Sequence, residues 1–312
     1  MTQQCDLQIS ELKPLMEQLC LARECLEQLI SLLSGLKIRV DLPEPDLAQL
    51  ELNLVGQELV LRRKSNDAGS DFRRPLTLIT GDARMRVAAG LARSMAETDA
   101  AVLIHGATGA GKNLFARLIH QQGNRSDRPL IWVPCGLLNH PDGMTRVMKF
   151  FHEAGNGTLV LEDIEDLGTT TQTDLSRVLQ QPPTCRLISL TCSDPDELVE
   201  RGEFSAVLLE QLRDCHIALP DLARRGTDIE LLARHYCLRF CAAAGLAEKQ
   251  LSPEYLDLLS LHAWPGNVRE LINTLEQSLL CARDQKTLYA KDLPAHIRIQ
   301  TLQLSSVRKK GL

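Results

Sequence analysis

Residues 106–112 read GATGAGK, a set of types and spacing suited to holding phosphate. The glycines of a GxxxxGK loop let successive backbone N–H groups face an anion, and the lysine at its end reaches the β- and γ-phosphates of a nucleotide. The expected phosphate-binding set is Gly106, Ala107, Thr108, Gly109, Ala110, Gly111, Lys112 and Asn113. Asn113 stands where many such loops carry a Ser or Thr for Mg²⁺, and an amide is a weaker ligand for a hard cation. The motif therefore argues for binding ATP or ADP and says little about turnover. A second run, TLVLED at 158–163, is an apolar strand ending in two carboxylates. Beside a phosphate loop it reads as the Walker B pattern, with Glu162 near the metal and Asp163 placed to polarise water.

These groups need elements to position them. AAVLIHG (100–106), PLIWVP (129–134), TLVLED (158–163) and RLISLT (186–191) are short β-rich runs separated by helical patterns. That alternation predicts an α/β fold, a parallel sheet with helices on both faces. The loop at 106–112 lies between the first of these strands and the helical run LFARLIHQQ, which is the context its motif requires. Residues 76–225 are read as this nucleotide-binding domain and 226–300 as a smaller helical domain. A linker with a short strand at Leu50–Leu54 spans 41–75, and 301–312 form a tail too short to fold. In residues 1–40, Leu12, Leu15, Leu19, Ala22, Leu26, Leu29, Leu33 and Leu36 make an a/d seam. Such a seam serves equally as an amphipathic helix on its own domain or as a homo- or heterotypic coiled coil.

Composition sets the outer bounds. The 312 residues carry 35 basic and 40 acidic side chains, a net charge of −5, which argues against the overall basic footprint of a nucleic-acid-binding protein. Aromatics at 4% are too few for base-stacking platforms. No apolar run reaches membrane-span length, and the first residues lack the charged and apolar regions of a signal peptide. Ten cysteines without a CxxC pair fit reduced thiols in the cytoplasm. Cys237 and Cys241, near His235, are read as packed thiols rather than a metal site.

From about Leu76 to Ile297 the chain resembles the central AAA+ domain of sigma-54-dependent transcription activators, the bacterial enhancer-binding proteins. The resemblance rests on the loop at 106–112, on FHEAGNGTLVLEDIEDLGTTTQTDLSRVLQ (151–180), on LPDLARRGTDIELLARHY (219–236) and on WPGNVRELINTLE (264–276). It implies a P-loop AAA+ sheet with a C-terminal helical lid. It also implies that Arg269 swings from the lid onto the nucleotide's phosphates. Independently, Asn267 and Glu270 have the spacing of a capping box at the start of the helix carrying Arg269.

The departures from that family shape the functional expectation. Active members carry a GAFTGA loop that grips sigma-54, whereas Cys135–Phe151 here reads CGLLNHPDGMTRVMKFF. The family's Asp-then-Glu strand end is Glu162 then Asp163, and the usual Asn after the next strand is Cys192. Its two finger arginines correspond to Ser205 and Gln211 in FSAVLLEQL (204–212), with Arg213 a poor substitute. No helix-turn-helix is expected after the lid. The favoured expectation is an ATP- or ADP-binding regulator with weak or no hydrolysis, acting through protein partners such as another enhancer-binding AAA+ protein, as a homo- or hetero-oligomer. The alternatives are an ATPase activated by a partner's arginines and a nucleotide-free scaffold; direct DNA binding is the least favoured.

Overall fold

The computed structural model describes residues 50–55 and 58–63 by their backbone, and residues 76–300 except 141, 182, 283 and 284. The Leu-rich segment 1–40, residues 64–75 and the tail 301–312 lie outside the described residues. Strand β1 (Leu50–Val55) covers the alternating leucines, as expected, and pairs antiparallel with β2 (Glu58–Arg63), Leu52 opposite Leu61. β2 was not anticipated, and it lies wholly within the 41–75 stretch read as a linker with a single short strand.

The four expected core strands form β3 (Val102–His105), β4 (Leu130–Pro134), β5 (Thr158–Glu162) and β6 (Arg186–Thr191). A fifth, β7 (Cys215–Ala218), escapes sequence reading because only Ile217 of its four residues is fully buried. The pairings are all parallel, in the order β4-β5-β6-β3-β7. Alternation along each strand sends neighbours to opposite faces. Val102, Ile104, Val160, Ile188 and Ile217 pack in one core with α1 (Ala83–Ala96) and α2 (Lys112–Gln122). Leu103, Leu159, Leu161 and Leu187 pack in a second core with α3 (Gly143–Ala154), α4 (Thr169–Val178), α5 (Pro195–Glu200) and α6 (Ala206–Leu212). Covering both faces explains why the central strands read as continuous apolar runs. Their C-terminal ends are then the open edge where a ligand site belongs.

The lid comprises α7 (Gly226–Ala243), α8 (Pro253–Leu261) and α9 (Asn267–Cys281) around a third core. Its pattern predicts helices alone, and the structure adds two short strands. Gln250–Leu251 (β8) and Thr287–Leu288 (β9) pair in parallel, and strands of two residues leave no period to read. Cys237 and Cys241 sit in this core at 1% and 2% exposure, and burial pushes the Cys237 thiol up to about 12. They are packed, inert thiols. Asp228 on α7 is fully buried and accepts from Thr80 Oγ1 (2.7 Å), Gly81 N (2.6 Å) and Asp82 N (3.1 Å), just before α1.

Trp264 anchors the turn between α8 and α9. It is 1% exposed, donates from Nε1 to Leu259 O (2.8 Å) and meets the His262 ring edge-on. Its φ of 52° is unusual for so large a side chain, so burial must hold the backbone there. Trp264→Ala is expected to cost about 3–5 kcal/mol of lid stability, read as a lowered urea midpoint. A shift under about 1 kcal/mol would mean that the turn does not depend on its tryptophan.

Candidate functional site

The phosphate loop follows β3 and opens α2. Gly109 and Gly111 have φ of 75° and 113°, the left-handed region that glycine enters without a Cβ penalty. Gly109 is needed for a second reason. A Cβ there would lie 2.2 Å from the carbonyl oxygen of Gly266, so the lid turn sits directly against the loop. Lys112 is 7% exposed; its ammonium donates to Gly106 O (2.7 Å) and to Cys192 Sγ (2.9 Å). The N–H groups of Gly109, Gly111, Lys112 and Asn113 take no acceptor among the described residues. They are the free donors that an anion at a helix N-terminus would use.

The carboxylates lie at the end of β5. Glu162 Oε1 accepts from Asn113 Nδ2 (2.8 Å), so the amide in the metal-associated position is turned to a carboxylate. Asp163 follows with φ 54° and is exposed; its Oδ1 lies 3.5 Å from Cys192 Sγ. Glu165 Oε1 accepts from Cys192 N (2.7 Å), while its Oε2 is buried without a partner. Cys192 Sγ also lies 3.4 Å from Thr108 Oγ1, which makes the thiol the hub between the loop and the carboxylates.

These groups line one cleft of about 610 Å³, within the range of small-molecule sites. Gly109, Gly111, Lys112 and Asn113 line it from the loop and Glu162, Asp163, Glu165 and Asp166 from the end of β5, the two groups meeting at the Asn113–Glu162 hydrogen bond. The lid closes it with Tyr236, Val268, Arg269 and Ile272. Arg269 is exposed in the first turn of α9. Gly106, Ala107 and Ala110 belong to the loop's backbone but do not line the cleft. The features fit a nucleotide: free loop amides, a buried ammonium, an apolar lid wall and a glycine cradle that a Cβ would fill. They fit Mg²⁺ less well, because the Asn113 side chain is already engaged with Glu162.

Asn267 does not form the expected capping box. The N-cap of α9 is Gly266, whose N–H donates to Glu270 Oε2 (2.7 Å). Asn267 has φ 51°, and its side chain is used elsewhere: Oδ1 accepts from Leu222 N (2.7 Å) and Nδ2 donates to Thr108 O (3.0 Å). Sequence reasoning missed Arg225 altogether. It is 2% exposed and donates to Ala110 O (2.9 Å) and Pro220 O (2.7 Å), and burial pushes its pKa down. Nothing in the pair RR at 224–225 marks the second arginine as different from a surface charge. Glu165 was likewise one acidic residue among several in LEDIED.

The finger positions offer no cation. Ser205 caps α6 through Leu208 N (3.4 Å), and Gln211 exchanges hydrogen bonds with Ser176 (2.8 and 3.2 Å). Arg213 is spent on Asp196 (2.7 Å) and Glu210 (3.4 Å).

Residues 85–222 match the sigma-54 interaction domain, and 223–310 match an AAA+ ATPase lid domain. The transcriptional regulatory protein ZraR of Salmonella typhimurium is 36% identical over 213 residues, 60% of this chain and 48% of that protein. The regulatory protein AtoC of Escherichia coli is 31% identical over 233 residues, 65% of this chain and 50% of that one. The crystal structure of NtrX from Brucella abortus in complex with ADP superposes with a TM-score of 0.67 at 27% identity, covering 74% of this chain and 59% of that one. NtrX in complex with ATP gives 0.66 at 28% identity, covering 78% and 62%. The chain spans about half the length of these curated relatives. No helix among the described residues is long and apolar enough to cross a membrane. With its parallel sheet, its phosphate loop and its lid, the chain belongs to the AAA+ proteins of the sigma-54 interaction family.

Proposed function

We propose that this chain is a nucleotide-binding regulator of transcription that acts in the cytoplasm through protein partners, with little or no hydrolysis of its own. The observation that carries this reading is an asymmetry. The binding parts are in place around one cleft, while the groups at the turnover positions are either exchanged or engaged elsewhere. Gly109, Gly111, Lys112 and Asn113 would hold the phosphates, Arg269 would approach them from the lid, and Tyr236, Val268 and Ile272 would cover the base. Glu162 would be the nearest metal ligand and Asp163 the nearest group to polarise water. Against that role, Cys192 replaces an amide with a thiol that Lys112 already holds, while Glu165 accepts from the backbone N–H of the same residue. Without a GAFTGA loop the chain would not remodel sigma-54. Its partners would be other enhancer-binding AAA+ proteins, sharing a mixed ring, or proteins gripped by the Leu-rich segment.

Purified protein incubated with labelled ATP and Mg²⁺ tests this directly. Retained intact ATP supports the reading. Bound ADP with steady phosphate release would replace it with an active ATPase. Absence of any retained nucleotide would leave an interaction scaffold. Because Asn113 engages Glu162, retention is also expected to depend weakly on the metal. Removing Mg²⁺ with chelator should change the ADP Kd, measured by calorimetry, by less than about tenfold. A loss of a hundredfold or more would place a strong Mg²⁺ ligand set in the cleft.

A further inference from the structure

The phosphate loop has a complete account of its carbonyl groups. Within the loop, Gly106 O takes the Lys112 ammonium, Ala107 O takes Ala110 N (3.0 Å) and Gly111 O takes Phe115 N (3.1 Å). The remaining three are held from outside. Thr108 O accepts from Asn267 Nδ2, Gly109 O from Val268 N (3.1 Å) and Ala110 O from Arg225. Those donors come from the start of α9 and from the residue just before α7. Peptide groups are rigid planes, so a carbonyl fixed on one side directs the N–H of the same plane to the other. Holding the Thr108, Ala110 and Gly111 carbonyls outward turns the N–H groups of Gly109, Gly111 and Lys112 toward the cleft.

We propose that Asn267 and Arg225 are positioning residues that pre-build the phosphate nest from behind, setting nucleotide affinity without touching the ligand. This rests on the nucleotide-binding reading above and adds the device that keeps the loop ready before ligand arrives. Both side chains are nearly inaccessible, at 2% exposure each, so neither is placed to meet a ligand. Their hydrogen bonds cross from the lid side to the loop. The ordering cost of the loop is thereby met on folding rather than on binding. By linkage, phosphate in the nest must in turn hold the lid contacts closed.

The discriminating variant is Asn267→Asp. It is isosteric, tolerates the left-handed backbone, and keeps an acceptor for Leu222 N. It loses only the donor to Thr108 O, and sets a carboxylate oxygen against that carbonyl. Arg225→Lys is the second variant, removing the fork that spans Ala110 O and Pro220 O. Two measurements separate this inference from the reading beneath it. In ligand-free protein, hydrogen exchange at the two bonded amides of this contact, Ala110 N (to Ala107 O) and Val268 N (to Gly109 O), should accelerate at least tenfold in Asn267→Asp. In binding, both ADP and inorganic pyrophosphate should weaken by the same factor, about tenfold or more, in each variant.

Unchanged exchange and unchanged Kd beside a lowered melting temperature would reduce the two residues to structural pins and overturn the proposal. Accelerated exchange in a protein whose wild type binds neither ligand would uphold the clamp and overturn the nucleotide reading. Wild-type binding of pyrophosphate without ADP would do the same, leaving a phosphate site. Weakened ADP with unaffected pyrophosphate would place the effect on the base rather than the nest, and would also overturn the proposal.

Discussion

Lys112→Ala is expected to abolish nucleotide retention, raising the ADP Kd about 100-fold or more. The ammonium is the buried cation that lines the cleft, whereas Arg225 lies behind the loop, and it is held there by Gly106 O and Cys192 Sγ. A phosphate arriving there exchanges a neutral carbonyl and a thiol for a charge-assisted partner, the stronger class of hydrogen bond. Removing one member of such a desolvated pair typically costs about 2–5 kcal/mol, and each 1.4 kcal/mol is tenfold in Kd. Equilibrium dialysis with labelled ADP reads the change. Arg269→Ala provides a graded comparison, since that side chain is exposed and screened and should cost less. If Lys112→Ala bound ADP within threefold of wild type, the cleft would not be a phosphate site. A ligand-induced rise in melting temperature should vanish in step, because only ligand bound to the native state stabilises it.

The second large effect concerns turnover. Phosphate release by the purified chain should stay near background and show no rise with protein concentration. In phosphoryl transfer, an arginine donated across an interface contributes about 10³–10⁵ in rate. Here Ser205 caps a helix, Gln211 bridges to Ser176, and Arg213 is tied to Asp196 and Glu210. No self-assembly of this chain can therefore offer those arginines from these positions. The exchanged carboxylates are expected to lower the rate further, since Glu162 and Asp163 differ from the family order by one methylene each way, and catalysis is sensitive to misplacement on that scale. Mixing with a finger-bearing AAA+ relative is the informative condition. Turnover that appears only in the mixture, and disappears with Asp163→Asn, would assign water activation to Asp163. Turnover by this chain alone that increases with its concentration would make it an active enzyme.

Much of this arrangement was legible in the residues. GATGAGK at 106–112 and TLVLED at 158–163 announced a loop and a strand end because glycine freedom and strand burial leave local signatures. The four main strands were legible for the same reason: with both faces covered, their runs are apolar throughout. What escaped detection depends on distant partners. β7 has one deeply buried residue and exists as a strand because β3 offers it an edge. Arg225 looks like any surface arginine until its guanidinium is found on Ala110 O. Asn267 has the spacing of a capping residue, yet the backbone enters α9 left-handed and the amide is claimed by Thr108 and Leu222. Local capping chemistry lost there to a contact 159 residues away in the chain.

The buried carboxylate of Asp228 has a mechanical meaning. It gathers Thr80, Gly81 and Asp82 onto the first turn of the long lid helix, whereas the first sheet strand begins only at Val102. Leu76 and Leu78, just before them, pack against the core that the sheet shares with α1 and α2. Tension along the polypeptide there would therefore be divided between sheet and lid, the two bodies that flank the cleft.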